Sequence, residues 1–269
     1  MLYEYLGCNL NICVVSFILS EGENMSKRLF KRKKTTALIL VLASSAIAIT
    51  VFLAWFKPSD FRPANASAFI DLPSPEAIGE VSVEEAIQQR RSIRSYADEP
   101  LSLQDISQLM WAAQGITDPT GEFRAAPSAG ATYPLEVYVV AGETSVVGLV
   151  QGLYRYDPYQ HRLERILEYD LRASLAEAAL EQTSVKEAPV NIVITAVYER
   201  TTGRYGERGV RYVHMEAGHV GQNLYLQATA RRLGMVVVGA FDDDRVQNVM
   251  ALPPDHKPLY IIPVGHPKD

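Results

Sequence analysis

From residue 35 to residue 56 the chain carries no charged side chain, and the stretch is built mainly from Leu, Ile, Val, Ala and Phe. A helix needs roughly 20 such residues to cross a hydrocarbon core. Residues 36–56 therefore predict one membrane-spanning helix, which divides the chain into a short leader and a domain. Six basic residues, Lys27, Arg28, Lys31, Arg32, Lys33 and Lys34, crowd immediately before the run, and Trp55 stands near its far end. That arrangement predicts a cytoplasmic segment over 1–35 and a single-pass topology with the domain outside the cytoplasm. A cleaved signal peptide is the alternative, since Ala64-Asn65-Ala66 and Ala66-Ser67-Ala68 offer small-residue cleavage patterns. The apolar run is nonetheless longer than the roughly 7–15 residues usual for a signal's core. Met25-Ser26-Lys27-Arg28 reads as a second start to the chain.

The formal charge of −5 conceals that leader, because removing residues 1–56 leaves 20 basic against 28 acidic residues, a net charge of about −8. So acidic a domain repels a phosphate backbone, and no nucleic-acid partner is expected. Cys8 and Cys13 both precede Met25. The domain therefore holds no disulfide framework, thiolate metal site or cysteine nucleophile. It also lacks a Gly-x-Gly-x-x-Gly turn, a phosphate-binding Gly-Lys-Ser/Thr loop and a Gly-x-Ser-x-Gly elbow. Of its five histidines, His214 and His219 lie five residues apart, about 140° round a helix. They cannot share a metal on one face, and no metal centre is expected.

Residues 57–80 hold Pro58, Pro63, Pro73 and Pro75 with little periodicity, which predicts an extended linker ahead of a domain over 81–269. Ser82 caps a helix over 83–91 with Glu84 and Glu85 in its first turn, and Ser102 caps a second over 103–114. Apolar runs predict strands over 135–141, 190–196, 235–239 and 259–264, with a hairpin formed by 152–156 and 162–166. Further helices are expected over 171–181, 212–233 and 244–250. The long one carries Val213, Ala217, Val220, Leu224 and Ala228 at helical spacing. Strands and helices mix without regular alternation, which indicates an α+β fold.

The candidate chemistry lies in three short segments. Arg90-Arg91-Ser92-Ile93-Arg94 closes the first helix with three guanidinium groups and a hydroxyl. Such a cluster suits a phosphate, because arginine presents a planar fork of donors. A basic helix end that offsets the dipole accounts for it equally well. Pro127-Ser128-Ala129-Gly130 lies in a loop before a strand, where small residues let backbone N–H groups approach a flat ring, though such runs are also plain turns. Gly239 and Ala240 follow a strand and either offer backbone donors or simply lead into the next helix, capped by Asp242 or Asp243.

Taken in order, these segments resemble the nitroreductase superfamily, in particular its SagB-type branch, which includes dehydrogenases that oxidise azolines to thiazoles and oxazoles. The resemblance runs from Ile70 to Pro267 and rests on several stretches. They are Leu72-Pro73-Ser74-Pro75, Arg90-Arg91-Ser92-Ile93-Arg94, residues 127–136, Gly152-Leu153-Tyr154-Arg155-Tyr156, Tyr205-Gly206-Glu207-Arg208-Gly209, Glu216-Ala217-Gly218-His219 and residues 259–265. It implies an α+β, nitroreductase-like domain that binds FMN noncovalently, as a homodimer with the flavin at the subunit interface. By position it implies that Arg90, Arg91, Ser92 and Arg94 hold the FMN phosphate and ribityl chain. Pro127, Ser128, Ala129 and Gly130 would line one edge of the isoalloxazine, with Gly239 and Ala240 near the other. It implies hydride transfer through flavin N5 to or from a small organic substrate, with Tyr205 as candidate proton donor or acceptor. The electron source would be NAD(P)H or another reductant. Oxidation of a modified peptide is the alternative within enzymes, and a degenerate flavin-fold binding module the alternative outside them. The azoline-oxidising relatives carry Lys-Tyr where this chain has Arg204-Tyr205, and an always-charged arginine is not a tunable base.

Overall fold

The computed structural model describes residues 69–268, so the leader over 1–35, the expected membrane helix over 36–56 and residues 57–68 of the linker lie outside the described residues. Among the described residues no helix is long and apolar enough to cross a membrane. The strands are β1 (Phe69–Asp71), β2 (Leu135–Ala141), β3 (Gly152–Asp157), β4 (Arg162–Leu167), β5 (Val190–Ala196), β6 (Gly234–Met235) and β7 (Lys257–Gly265). They form one sheet in the order β1-β4-β3-β2-β5-β7-β6, and each neighbouring pair is antiparallel. The helices are α1 (Val83–Gln89), α2 (Leu103–Gln114), α3 (Arg172–Ala178), α4 (Thr183–Glu187), α5 (Glu199–Tyr205), α6 (Arg208–Ala230) and α7 (Asp243–Val249). The α+β class expected from the sequence is the one observed.

Burial explains why β5 lies inside the sheet, since every residue of Val190-Asn191-Ile192-Val193-Ile194-Thr195-Ala196 is buried. Val190, Ile192, Ile194 and Ala196 point into one core, shared with Ile106 and Leu109 of α2 and Val213, Val220 and Leu224 of α6. Val193 points into a second, shared with Leu175 of α3, Val185 of α4 and Val246 of α7. Burying one such aliphatic side chain contributes about 1.5–3 kcal/mol. A strand that is apolar on both faces is therefore driven to the middle, with helices on either side.

Several elements depart from the sequence reading, each for a local reason. The last residues of the expected linker join the sheet: β1 pairs with β4 through Phe69↔Glu164, Ile70↔Leu163 and Asp71↔Arg162, and the Arg162 guanidinium stacks on the Phe69 ring at 3.9 Å. Helix α1 stops at Gln89, because Ser92 bridges Met235 and Ile93 N–H donates to the Met235 carbonyl at 2.9 Å. The long helix begins at Arg208 rather than Tyr212 and is preceded by α5. Gly206, at φ 58°, turns the chain between the two. The strand expected over 235–239 narrows to Gly234–Met235. Val237 N–H leaves the ladder to donate to the Tyr225 hydroxyl at 3.1 Å, and Val238 rejoins by exchanging hydrogen bonds with Ile261 at 2.8 and 3.0 Å.

Candidate functional site

Ser82 caps α1 by accepting from Glu85 N–H, and the helix delivers Arg90 as its C-cap residue. The chain then runs extended against Met235. This places the Arg90 guanidinium over the Tyr225 ring, 4.9 Å from its centre, and the Ser92 hydroxyl 2.9 Å from the Tyr225 hydroxyl. Tyr225 in turn holds Val237 N–H, two residues before Gly239. Arg91 folds back, its Nη1 donating to the Gln88 and Arg90 carbonyls at 2.9 and 2.8 Å. Arg94 is exposed. Among the described residues no carboxylate makes a salt bridge to Arg90, Arg91 or Arg94; the same holds for Arg124, Arg204, Arg208, Arg211 and Arg232, whereas Arg155, Arg162, Arg165, Arg172, Arg200, Arg231 and Arg245 are paired, and what sets the trio apart is that its three cations lie within five residues. An acidic domain that leaves these three cations unneutralised keeps a place for an anion. Gly239 and Ala240, two and three residues beyond Val237, are exposed. The Ala240 carbonyl accepts from Gln182 at 2.9 Å, and Asp242 caps α7.

The second cluster centres on the loop of Pro127, Ser128, Ala129 and Gly130. Gly130 has φ 61°, and a Cβ there would lie 2.5 Å from the Tyr205 hydroxyl and 2.8 Å from Arg204 Nη1. The positive φ favours glycine, and a Cβ would push aside the ends of the Tyr205 and Arg204 side chains, so the loop sits close against α5. Arg204 Nη1 donates to the Gly130 carbonyl at 3.1 Å, which makes Arg204 a clamp on the loop. The Tyr205 ring meets Tyr212 edge-on at 5.2 Å. Thr132 and Thr201 share a hydroxyl hydrogen bond at 2.8 Å, and Ser128 Oγ accepts from Tyr133 N–H at 2.9 Å. Beneath the loop the Glu216 carboxyl is buried. Desolvation pushes its pKa up to about 7, against the opposing influence of Ser128, Arg124 and Gln114.

The structure thus brings Tyr205 to the loop of 127–130, and Arg90 and Ser92 to the segment that leads into Gly239 and Ala240. Within one chain it does not join the two groups: no hydrogen bond links them among the described residues. They meet α6 at Glu216 and Tyr225, positions nine residues apart, about 13 Å along the axis and half a turn round. Sequence reasoning gave no role to Tyr225, Glu216, Arg124 or Gln114. For Glu216 a signal existed, namely a carboxylate set among Val213, Ala217 and Val220 on the apolar stripe. Tyr225 carried none, because its partners come from segments far away in sequence. The histidines that make side-chain hydrogen bonds serve the fold: His161, His214 and His256 pair with Tyr156, Tyr198 and Tyr138 at 2.8, 2.6 and 2.7 Å.

The sequence profile of the Nitroreductase family matches residues 87–266. Over 196 residues the chain is 47% identical to a nitroreductase-family protein of Methanocaldococcus jannaschii, a match that covers 73% of this chain and 95% of that one. It is 31% identical over 211 residues to the trifolitoxin-processing protein TfxB of Rhizobium leguminosarum bv. trifolii, covering 73% of this chain and 56% of that protein. The chain therefore spans little more than half the length of the second relative. A crystal structure of a nitroreductase-family protein from Ralstonia eutropha superposes with a TM-score of 0.65 at 29% identity, over 75% of this chain and 90% of that one.

Proposed function

The chain belongs to the nitroreductase family, and from that premise we propose that it is an FMN-dependent oxidoreductase acting on a small organic substrate. The observation that carries this reading is the trio Arg90, Arg91 and Arg94, left without carboxylate partners beside the Ser92 hydroxyl in a chain of net negative charge. Arg90, Ser92 and Arg94 would hold the phosphate and ribityl chain. Arg91, with Nη1 already bonded, would add its remaining donors. A flat ring would lie against the loop of Pro127, Ser128, Ala129 and Gly130, which the Tyr205 hydroxyl and the Arg204 guanidinium approach at Gly130. The other edge would lie near Gly239 and Ala240. When bound, FMN supplies hydride acceptance and donation at N5 of its ring. The protein's part is to bind, to orient and to exclude water, with the Tyr205 hydroxyl placed at the loop as proton donor or acceptor.

Because the arginine group and the small-residue loop meet α6 half a turn apart round its axis, one flavin would draw them from two copies of the chain. A homodimer is part of this proposal. Ile78, Val83, Ile87 and Met215 are exposed apolar side chains, and Val83 and Ile87 share one face of α1. A second reading, oxidation of a modified peptide, draws support from the trifolitoxin-processing relative. Arg204 weighs against it, because its guanidinium clamps the Gly130 carbonyl and cannot act as a base.

The test is to purify the full chain in detergent, denature it and identify any released chromophore. Arg90→Ala with Arg94→Ala is expected to strip most of the flavin while leaving the circular dichroism spectrum intact. Unchanged flavin content in that variant would refute the phosphate role.

A further inference from the structure

Beyond Gly130 the chain continues through Ala131, Thr132 and Tyr133, which form one wall of a cleft of about 550 Å³. The start of β2, the end of β3 and the turn after β3 supply others, and none of the residues proposed to hold the flavin lines it. Gln114, at the end of α2, and Arg124 line it as well. Arg124 Nη1 donates to Gln114 Oε1 at 2.9 Å, which fixes the orientation of the amide and leaves its Nε2 as a donor. Gln114 is 1% exposed, and that Nε2 has no hydrogen-bond partner. Arg124 Nε is likewise buried without one. Buried donors are normally satisfied, so two unmet ones on adjoining side chains in the wall of a cleft call for an acceptor. The Glu216 carboxyl is buried near enough to feel the Arg124 charge. Among the described residues, however, neither it nor any other carboxylate makes a salt bridge to Arg124.

The other charges of the cleft are already balanced. Arg200 is paired with Glu136 at 2.6 Å, Arg155 with Glu164 at 2.7 Å and Asp157 with Arg162 at 3.4 Å. That leaves Arg124 as the unpaired cation of the lining. Tyr133, Tyr156 and Tyr159 add aromatic rings. Tyr133 donates its hydroxyl to the Glu122 carbonyl at 2.7 Å, and the Tyr156 hydroxyl pairs with His161 Nδ1 at 2.8 Å, so these two offer the cleft their rings. The Arg124 guanidinium packs against two of the three, 4.3 Å from the centre of Tyr133 and 5.5 Å from that of Tyr159. With Nη1 taken by Gln114 and tyrosine rings against the guanidinium plane, the edge formed by Nε and Nη2 remains for a ligand. Two parallel N–H groups on that edge match the two oxygens of a carboxylate.

We infer that this cleft binds a small aromatic carboxylate, its two oxygens forked onto the Nε and Nη2 edge of Arg124 and its ring among Tyr133, Tyr156 and Tyr159. The Gln114 amide donates a further bond. One unpaired guanidinium balances one negative charge, which separates a carboxylate from a phosphate monoester of charge about −1.5 to −2. The site goes beyond the flavin reading and does not depend on it, because the two sets of residues are distinct.

Benzoate is the probe, with benzamide as its neutral counterpart. Affinities are measured by isothermal titration calorimetry on the full-length protein in detergent, for wild type, Arg124→Gln and Tyr159→Ala. Wild type is expected to bind benzoate with a Kd on the order of 1 mM, as suits so small a ligand. Arg124→Gln should weaken it about tenfold or more, and benzamide should bind wild type more weakly by a similar factor, the size of a lost charge-assisted hydrogen bond. Tyr159 is 65% exposed, so its ring can be removed without disturbing the core, and Tyr159→Ala should weaken benzoate about threefold. Uptake by the micelle is common to all the proteins and cancels in the comparison. No binding to wild type up to about 10 mM benzoate would overturn the inference. Equal binding of benzoate and benzamide would do the same, and that comparison stands even if Arg124→Gln folds poorly. Benzoate that stacked on a bound flavin instead would keep its affinity in Arg124→Gln, which would overturn the cleft and leave the flavin reading in place.

Discussion

Burial of a carboxyl on the inner face of α6 makes Glu216 a burden on the fold at neutral pH. Its folded pKa, about 7, lies above the ordinary 4.5, so its contribution is most favourable below pH 4.5 and is lost as pH rises through 7. The full penalty above that range is about 3 kcal/mol at 1.36 kcal/mol per pKa unit. The half-buried His161 and the buried His256 run the opposite way, since desolvation lowers their pKa values. The comparison that isolates Glu216 is therefore with Glu216→Gln. In urea denaturation the variant should match wild type near pH 4.5 and exceed it at pH 8. Gly130 offers a second test at this scale. Gly130→Ala adds about 1–2 kcal/mol of left-handed strain and a Cβ 2.5 Å from the Tyr205 hydroxyl. The flavin-to-protein absorbance ratio should fall sharply, and adding Tyr205→Phe should restore part of it.

Among the elements, α2 is held at its N-terminus by a reciprocal cap. Ser102 Oγ accepts from Asp105 N–H at 3.0 Å, and Asp105 accepts from Ser102 N–H at 2.9 Å. Burial alone would raise the Asp105 carboxyl, but the bonds from Ser102 and Arg231 hold it below its ordinary value. Ser102→Ala should cost about 1 kcal/mol in urea denaturation. Such a cap is readable in sequence because its partners stand three residues apart, and α2 and β5 were legible in full for that kind of reason. The edge strand β1 was not, because Phe69-Ile70-Asp71 stands in a proline-rich stretch and owes its state to β4. Nor was α5, whose Glu-Arg-Thr-Thr-Gly-Arg-Tyr lacks an apolar stripe. The strand at 235–239 was overextended because Tyr225, twelve residues before Val237, takes the Val237 amide. In the site, the arginine cluster and the small-residue loop were legible as local motifs. Tyr225, which meets Arg90 and Ser92 across the fold, was not.

At the scale of the whole molecule, the separation of the two clusters on α6 turns the flavin proposal into a statement about assembly. If one ring takes its phosphate grip from one copy and its loop from another, dimerisation and flavin retention must fail together. Ile87→Asp combined with Met215→Glu, both at exposed positions outside the proposed site, should convert a crosslinked dimer to monomer and release the flavin. A monomer that stays yellow would show that one copy suffices. The sheet carries a further consequence at its edge. Tension applied through the residues that precede Phe69 is met first by the three ladder pairs of β1 with β4 and by the stack of Arg162 on Phe69. That strand lies four places from β5 in the sheet order, so it can detach before β5 bears load, a mechanical fuse at the point where the domain would be pulled.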